Sequence, residues 1–75
     1  MQDNELFFTV EKQVGVLSES SKGWTRQFNL VSWNGREPKY DIRDWDATLE
    51  KMGRGISLTV NEVKELKALL NSLDI

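Results

Sequence analysis

Alternation of apolar and polar residues predicts an extended chain over most of this sequence. The alternating stretches run over residues 6–17, 24–33 and 39–46, each bounded by turn-forming residues. A half-buried strand places successive side chains on opposite faces, so each stretch is assigned one apolar face. In the first strand, the residues assigned to one face are Phe8, Val10, Val14 and Val16.

The second and third strands each separate into two faces. In the second, Trp24, Phe28 and Leu30 share a face with Arg26, and the opposite face is mostly polar and is predicted to face solvent. The members of that polar face are Thr25, Gln27, Asn29, Val31 and Trp33. In the third strand, one face carries Tyr40 and Ile42, and the other carries Lys39, Asp41, Arg43 and Trp45.

A tight turn joins these two strands. Asn34 and Gly35 both tolerate the positive φ that a type I′ turn requires, so a hairpin is predicted there. After a polar connection through residues 52–54, the short apolar segment 55–58 has room for one more strand. The predicted sheet therefore has four strands.

A helix is predicted to close the chain. Thr59 and Glu62 have the spacing of a capping box, which marks a helix N-terminus. Behind it, leucines and one valine recur at helical spacing and form a wide apolar stripe. The stripe, which is predicted to form a dimer interface, consists of Val63, Leu66, Leu69, Leu70 and Leu73.

The 75-residue length allows one domain, residues 1–75, that buries a modest share of its surface. The chain has no cysteine and no histidine, so neither disulfides nor a zinc site can staple it, and oligomerisation is the expected alternative. The absence of cysteine and of a secretory start predicts a cytoplasmic protein. No apolar run is long enough to span a bilayer, so no membrane partner is expected.

Enzymatic activity is not expected, because the chain lacks histidine, the commonest general base, and cysteine, the most reactive nucleophile. Asp41, Asp44 and Asp46 resemble a magnesium cluster, but strand alternation turns Asp41 away from the other two. We therefore predict no catalytic residues, no metal, no cofactor and no small-molecule substrate.

Charge is distributed unevenly along the chain. The formal net charge is -2, yet residues 22–43 carry five basic and two acidic side chains. This asymmetry predicts one basic surface on an acidic body.

Trp33 lies on the polar face beside the turn, close in sequence to Arg36 and Lys39. An aromatic ring flanked by cations suits single-stranded nucleic acid, because any base can stack on the ring while the cations follow the phosphates. For Trp24 and Trp45, packing in the core is an equally good interpretation. Arg36, Lys39 and Arg43 are alternatively ordinary solvated charges, and Gln27 and Asn29 either contact bases or are simply exposed polar residues.

Three segments together resemble the Positive Cofactor Four family of transcriptional coactivators, and most closely its bacterial YdbC-type branch. They are Trp33-Asn34-Gly35-Arg36, then Tyr40-Asp41-Ile42-Arg43-Asp44-Trp45, then Gly53-Arg54-Gly55-Ile56-Ser57-Leu58 before the capped helix. The resemblance implies an α+β fold: a four-stranded curved antiparallel sheet followed by one C-terminal helix, paired into a homodimer that binds single-stranded DNA on its concave sheet faces. It matches the family's binding residues to Trp33, Gly35, Arg43, Arg54 and one of Arg36 and Lys39.

The sequence thus predicts sequence-tolerant binding of single-stranded DNA by a homodimer, serving transcription, replication or repair. One alternative is a protein-interaction module that uses the same dimer. The other is single-stranded RNA binding, since stacking and phosphate contacts do not distinguish RNA from DNA. The predicted nucleic-acid-binding residues are Lys22, Trp24, Gln27, Asn29, Trp33, Asn34, Arg36, Lys39, Arg43, Trp45 and Arg54.

Overall fold

A computed structural model describes residues 7–20 and 22–75. Four antiparallel strands follow one another across an open sheet in the order β1-β2-β3-β4, and one helix follows the last strand. The predicted α+β class and strand count are confirmed. The elements are β1 (Phe8–Glu19), β2 (Thr25–Trp33), β3 (Lys39–Trp45), β4 (Met52–Leu58) and α1 (Val60–Asn71).

The predicted turn between β2 and β3 is present. Asn34 and Gly35 have φ values of 53° and 75°, and the Arg36 N–H donates to the Trp33 carbonyl at 3.0 Å. Asn34 also forms two hydrogen bonds with Phe7, the residue before β1. The Asn34 side-chain oxygen accepts from the Phe7 N–H at 2.9 Å, and the Asn34 N–H donates to the Phe7 carbonyl at 2.7 Å. The turn is therefore fastened to the edge of the sheet.

Strand β1 does not keep the simple alternation predicted for it. Its register against β2 shifts three times, so its 12 residues lie opposite only nine residues of β2. Each shift is a bulge that bends the strand and changes which face the following residue occupies. Phe8, Val10 and Val16 pair with residues of one face of β2, as predicted, whereas Val14 lies at a bulge and has no partner in the register.

Strand β4 begins three residues before the predicted segment, at Met52. Met52 pairs with Trp45 and Gly55 with Arg43, so β4 accommodates one extra residue around Arg54. Glycines on both sides of Arg54 hid this part of the strand, since glycine is depleted in strands and marks bulges.

The sheet curves towards the face that carries Trp33. Trp45 pairs with Thr25 and Phe8 pairs with Trp33, at opposite ends of β2. Eight residues of extended strand span about 26 Å. The Phe8 and Trp45 rings nevertheless have centroids 5.3 Å apart, which requires strong curvature. We call this side the concave face; its members are Phe8, Val10, Gln27, Asn29, Val31, Trp33, Lys39, Asp41, Arg43, Trp45 and Ser57.

The capping box at the helix start is confirmed. The Glu62 N–H donates to the Thr59 hydroxyl at 3.1 Å, and the Thr59 N–H donates to the Glu62 carboxylate at 2.8 Å. The helix lies against the convex face, where Val63 and Leu66 are partly buried. Among the described residues, no helix is long and apolar enough to cross a membrane.

Asp46 organises the loop between β3 and β4. One carboxylate oxygen accepts from the backbone N–H groups of Lys51 and Glu50, each at 3.0 Å, and the other accepts from the Thr48 hydroxyl at 2.9 Å. The hydrogen bond from the Lys51 backbone, supported by those from Thr48 and Glu50, lowers the pKa of Asp46 below 3.8.

Acid is therefore expected to loosen this loop. A carboxyl whose pKa is lower in the folded state stabilises the fold above its unfolded pKa, and this contribution is lost as pH falls through the folded value. An NMR titration should give Asp46 a pKa below that of an unstructured aspartate. Asp46→Asn keeps an oxygen acceptor and should remove this step from the pH dependence of stability, whereas an unchanged profile in that variant would assign the step to another carboxyl.

Candidate nucleic-acid interface

An aromatic cluster fills the middle of the concave face. The Phe8 ring contacts Trp33 and Trp45, with centroid separations of 5.7 Å and 5.3 Å and tilted planes. Trp45 is fully buried, whereas Trp33 stays partly exposed. The cluster thus contains a fully buried tryptophan, Trp45, and a partly exposed one, Trp33, whose indole nitrogen is itself buried.

Arg43 lies against this cluster. Its guanidinium carbon is 4.7 Å from the centre of the Trp33 ring, in the range of a cation–π contact. Its Nε and Nη2 donate to the two oxygens of the Asp41 carboxylate at 2.6 Å and 2.9 Å. Asp41 is fully buried and also accepts from the Ser57 hydroxyl at 2.9 Å, so the pair belongs to a continuous polar network beneath Trp33.

Four of the predicted cations are exposed and form no ion pair with the described residues. Arg36 and Lys39 lie near Trp33, at the β2–β3 turn, and Lys22 lies at the opposite end of β2. Arg54 is exposed within the irregular part of β4. These side chains are free to meet phosphates, whereas the predicted contact Arg43 already has a carboxylate partner.

Comparison with protein families matches residues 20–69 to the family described as Transcriptional Coactivator p15 (PC4). That segment contains all five predicted cations, the aromatic residues Trp33 and Trp45, and most of the helix. The chain belongs to the PC4 family. It is also 41% identical over 73 residues to an uncharacterized protein of Treponema pallidum (strain Nichols), a match covering 97% of this chain and 86% of the relative.

Membership in the PC4 family confirms the predicted resemblance. The family is a nucleic-acid-binding, non-enzymatic one that binds single-stranded DNA and has a transcription coactivator-like role. The match begins at residue 20, so all of β1 lies outside it. The bulged first strand is therefore the part of the fold for which the family comparison carries least information.

Two polar residues of this PC4-family chain lie on the predicted face but are buried. Gln27 is 8% exposed and Asn29 is fully buried, so the prediction that their face is open to solvent is wrong at these positions. The Asn29 amide donates to the Gln27 side chain at 3.0 Å, and the Gln27 amide donates to the Thr25 hydroxyl at 2.8 Å. Curvature folds the sheet over them, and their amides are linked along β2, although the buried Asn29 side-chain oxygen has no hydrogen-bond partner among the described residues.

Trp24 and Trp45 were also predicted to bind nucleic acid, but neither offers a ring for stacking on the concave face. Trp45 is 0% exposed, so it forms core and offers no free ring face. Trp24 belongs to the convex side, where it lines a pocket with Lys22 and Arg26. Arg26 is paired there with Asp44 at 2.9 Å, and this hydrogen bond raises the pKa of the Arg26 guanidinium.

Three contributors to the site escaped prediction as functional residues. Phe8 connects two tryptophans, Asp41 holds Arg43, and Gly55 leaves space for the Arg43 side chain. The glycine had a visible signal, because a glycine inside a strand often marks a close approach of other atoms. Phe8 had none, since its role depends on which strands become neighbours, whereas Asp41 lies two residues from Arg43 on the same face of β3, so alternation alone places the two side by side.

Proposed function

We propose that this protein binds single-stranded DNA, without strong sequence preference, along the concave face of a homodimer. The observation that carries the proposal is the partly exposed Trp33 ring beside the exposed cations Arg36 and Lys39, on a curved sheet of the PC4 family. An indole can stack on any base while neighbouring cations neutralise phosphates. Such binding suits transcription, replication or repair, and a cytoplasmic location remains a prediction.

The homodimer is proposed from apolar surface that one chain leaves uncovered. On the helix stripe, Leu69, Leu70 and Leu73 are 57%, 49% and 54% exposed, and Ile56 on neighbouring β4 is 55% exposed. A groove of about 280 Å³ runs between the helix and Phe28, and its lining is mostly apolar. Monomeric proteins rarely expose contiguous apolar patches of this kind, so a second copy of the chain is the proposed occupant.

Leu70→Asp is expected to give a monomer. Leu70 is half exposed in the single chain, so the substitution should weaken association far more than it disturbs the chain itself, because it places a carboxylate in an apolar interface. Sedimentation equilibrium at micromolar concentration measures this. Ala68→Asp, on the opposite side of the helix, is the matched control and should remain dimeric. A wild-type chain that sediments as a folded monomer would contradict the dimer.

Trp33→Ala is expected to weaken binding of a labelled oligo-dT strand by about 1–3 kcal/mol, the usual worth of one base stacked on an aromatic. Because Trp33 is partly exposed, the loss of folding stability should be smaller than for a core tryptophan. Trp33→Phe should recover much of the affinity, since a ring remains. Unchanged affinity of folded Trp33→Ala would remove stacking from the proposal.

A competition assay with the same labelled oligo-dT strand measures which nucleic acid the protein prefers. Single-stranded DNA, single-stranded RNA and duplex DNA compete for the protein, and single-stranded DNA is expected to compete best. With the three exposed cations Arg36, Lys39 and Arg54 in each chain, log K should fall with log salt with a slope of about -2, at about -0.7 per phosphate neutralised. A failure of all three competitors would point instead to a protein partner.

A further inference from the structure

Arg43 is the one predicted phosphate contact whose charge is already neutralised within the described part of the chain. Its side chain is 16% exposed and that of its partner Asp41 is 0% exposed. The two make a bidentate pair, and Nη1 of Arg43 also donates to the Gly53 carbonyl at 3.3 Å. Such a guanidinium has few donors left and little net charge to offer a phosphate.

Strand β4 leaves space for the Arg43 side chain at the position opposite to it. Gly55 pairs directly with Arg43, and a Cβ at Gly55 would overlap the Arg43 Cβ and the Ile42 carbonyl oxygen and would lie 2.9 Å from the Arg43 Nε. No larger residue fits without displacing the arginine. Glycine at this position therefore leaves room for the Arg43 side chain, whose guanidinium contacts the Gly53 carbonyl and the Trp33 ring.

Resting on the proposed function, we infer that Arg43 is a positioning residue for Trp33 and not a phosphate contact. Asp41 fixes the plane of the guanidinium, Gly55 makes room for it, and the guanidinium supports the indole through the cation–π contact at 4.7 Å. The stacking ring is thus held in place before a base arrives. Phosphate recognition is left to the exposed cations Arg36, Lys39 and Arg54, since Lys22 lines the pocket on the convex side.

A phosphate contact and a positioning residue differ in two measurable properties, the effect of replacing Arg43 by lysine and the salt dependence of binding. If Arg43 neutralises a phosphate, lysine should replace it well and its removal should reduce the salt slope by about 0.7. If Arg43 positions Trp33, lysine should fail because it has no planar group to pair bidentately or stack, although its charge is the same.

The first experiment measures oligo-dT affinity of Arg43→Lys in the wild-type and the Trp33→Ala backgrounds. In the wild-type background the affinity should fall between about twofold and thirtyfold, the range of a cation–π contact. In the Trp33→Ala background the same substitution should cause no further loss, because its effect acts through the ring. Equal losses in both backgrounds would overturn the inference.

The second experiment removes both charges together, since Arg43→Gln alone leaves a buried carboxylate unpaired and endangers folding. The Asp41→Asn, Arg43→Gln double variant should retain the salt slope of the wild type. Lys39→Gln, an exposed neighbour, is the control and should make the slope shallower by about 0.7. A shallower slope in the double variant would establish Arg43 as a phosphate contact and overturn the inference.

These outcomes are distinct from a failure of the proposed function. If the wild-type protein binds no single strand, the DNA-binding proposal fails. The positioning of Trp33 by Arg43 then still has its own readout, the fluorescence of Trp33 in a Trp24→Phe, Trp45→Phe background. There, Arg43→Lys should change the Trp33 emission, and an emission that stays the same would contradict the positioning role.

Discussion

Trp45→Ala is expected to lower the free energy of unfolding by about 3–5 kcal/mol, the usual cost of truncating a buried tryptophan. Trp45 is fully buried and packs on Phe8. It is one of two fully buried apolar residues in the described chain, and the other is Val31. A chain of this size has few other buried contacts to compensate. Urea unfolding monitored by circular dichroism measures the loss.

Two further variants make this result specific to burial. Trp45→Phe should cost less, because a ring remains and the indole N–H has no partner among the described residues. Trp24→Ala, a partly exposed tryptophan on the convex side, should also cost less. If Trp45→Ala unfolds at the same urea concentration as Trp24→Ala, the buried aromatic cluster does not exist in solution.

Asp41→Ala is expected to destabilise the protein by a comparable amount, about 3–5 kcal/mol, the usual cost of breaking a buried ion pair. The substitution leaves the Arg43 guanidinium without its carboxylate and the Ser57 hydroxyl without its acceptor. An unpaired charge in this position has little access to water, since the Arg43 side chain is 16% exposed. Urea unfolding at constant pH measures the effect.

Asp44→Ala is the matched control on the same strand. Asp44 also pairs with an arginine, Arg26, at 2.9 Å, but the two side chains are 39% and 57% exposed. Exposed pairs contribute about 0–1 kcal/mol, so this loss should be small. Equal effects of the two substitutions would mean that Asp41 is hydrated in solution and that burial does not strengthen the Arg43 pair.

Local signals in the sequence predicted the parts of the fold that depend on near neighbours. The capping box of Thr59 and Glu62 and the turn at Asn34 and Gly35 are both present, because each depends on residues within three positions of one another. Trp33 was likewise assigned to the correct face from alternation within one strand. The three segments that carry the resemblance to the PC4 family are likewise continuous in sequence and need no tertiary contact to be recognised.

The exposure of the polar face could not be predicted in this way. Alternation placed Gln27 and Asn29 correctly on the face of Trp33, but whether that face meets water depends on curvature. The curvature arises with the bulges of β1, which have no period in the sequence, and it brings Phe8 and Trp45 together from opposite ends of the sheet.

The sequence by itself determined the elements, their order, the aromatic and basic character of one face, and the apolar helix stripe. Each of these follows from spacing along the chain, where the 2.0 and 3.6 residue periods hold. Only the tertiary structure decided that Trp45 is core while Trp33 is accessible, and that Arg43 pairs with Asp41 across from Gly55. Those outcomes depend on strand register and sheet curvature, because these bring together residues distant in sequence, such as Phe8 and Trp45, and bury the Arg43–Asp41 pair, whose members are only two residues apart on β3.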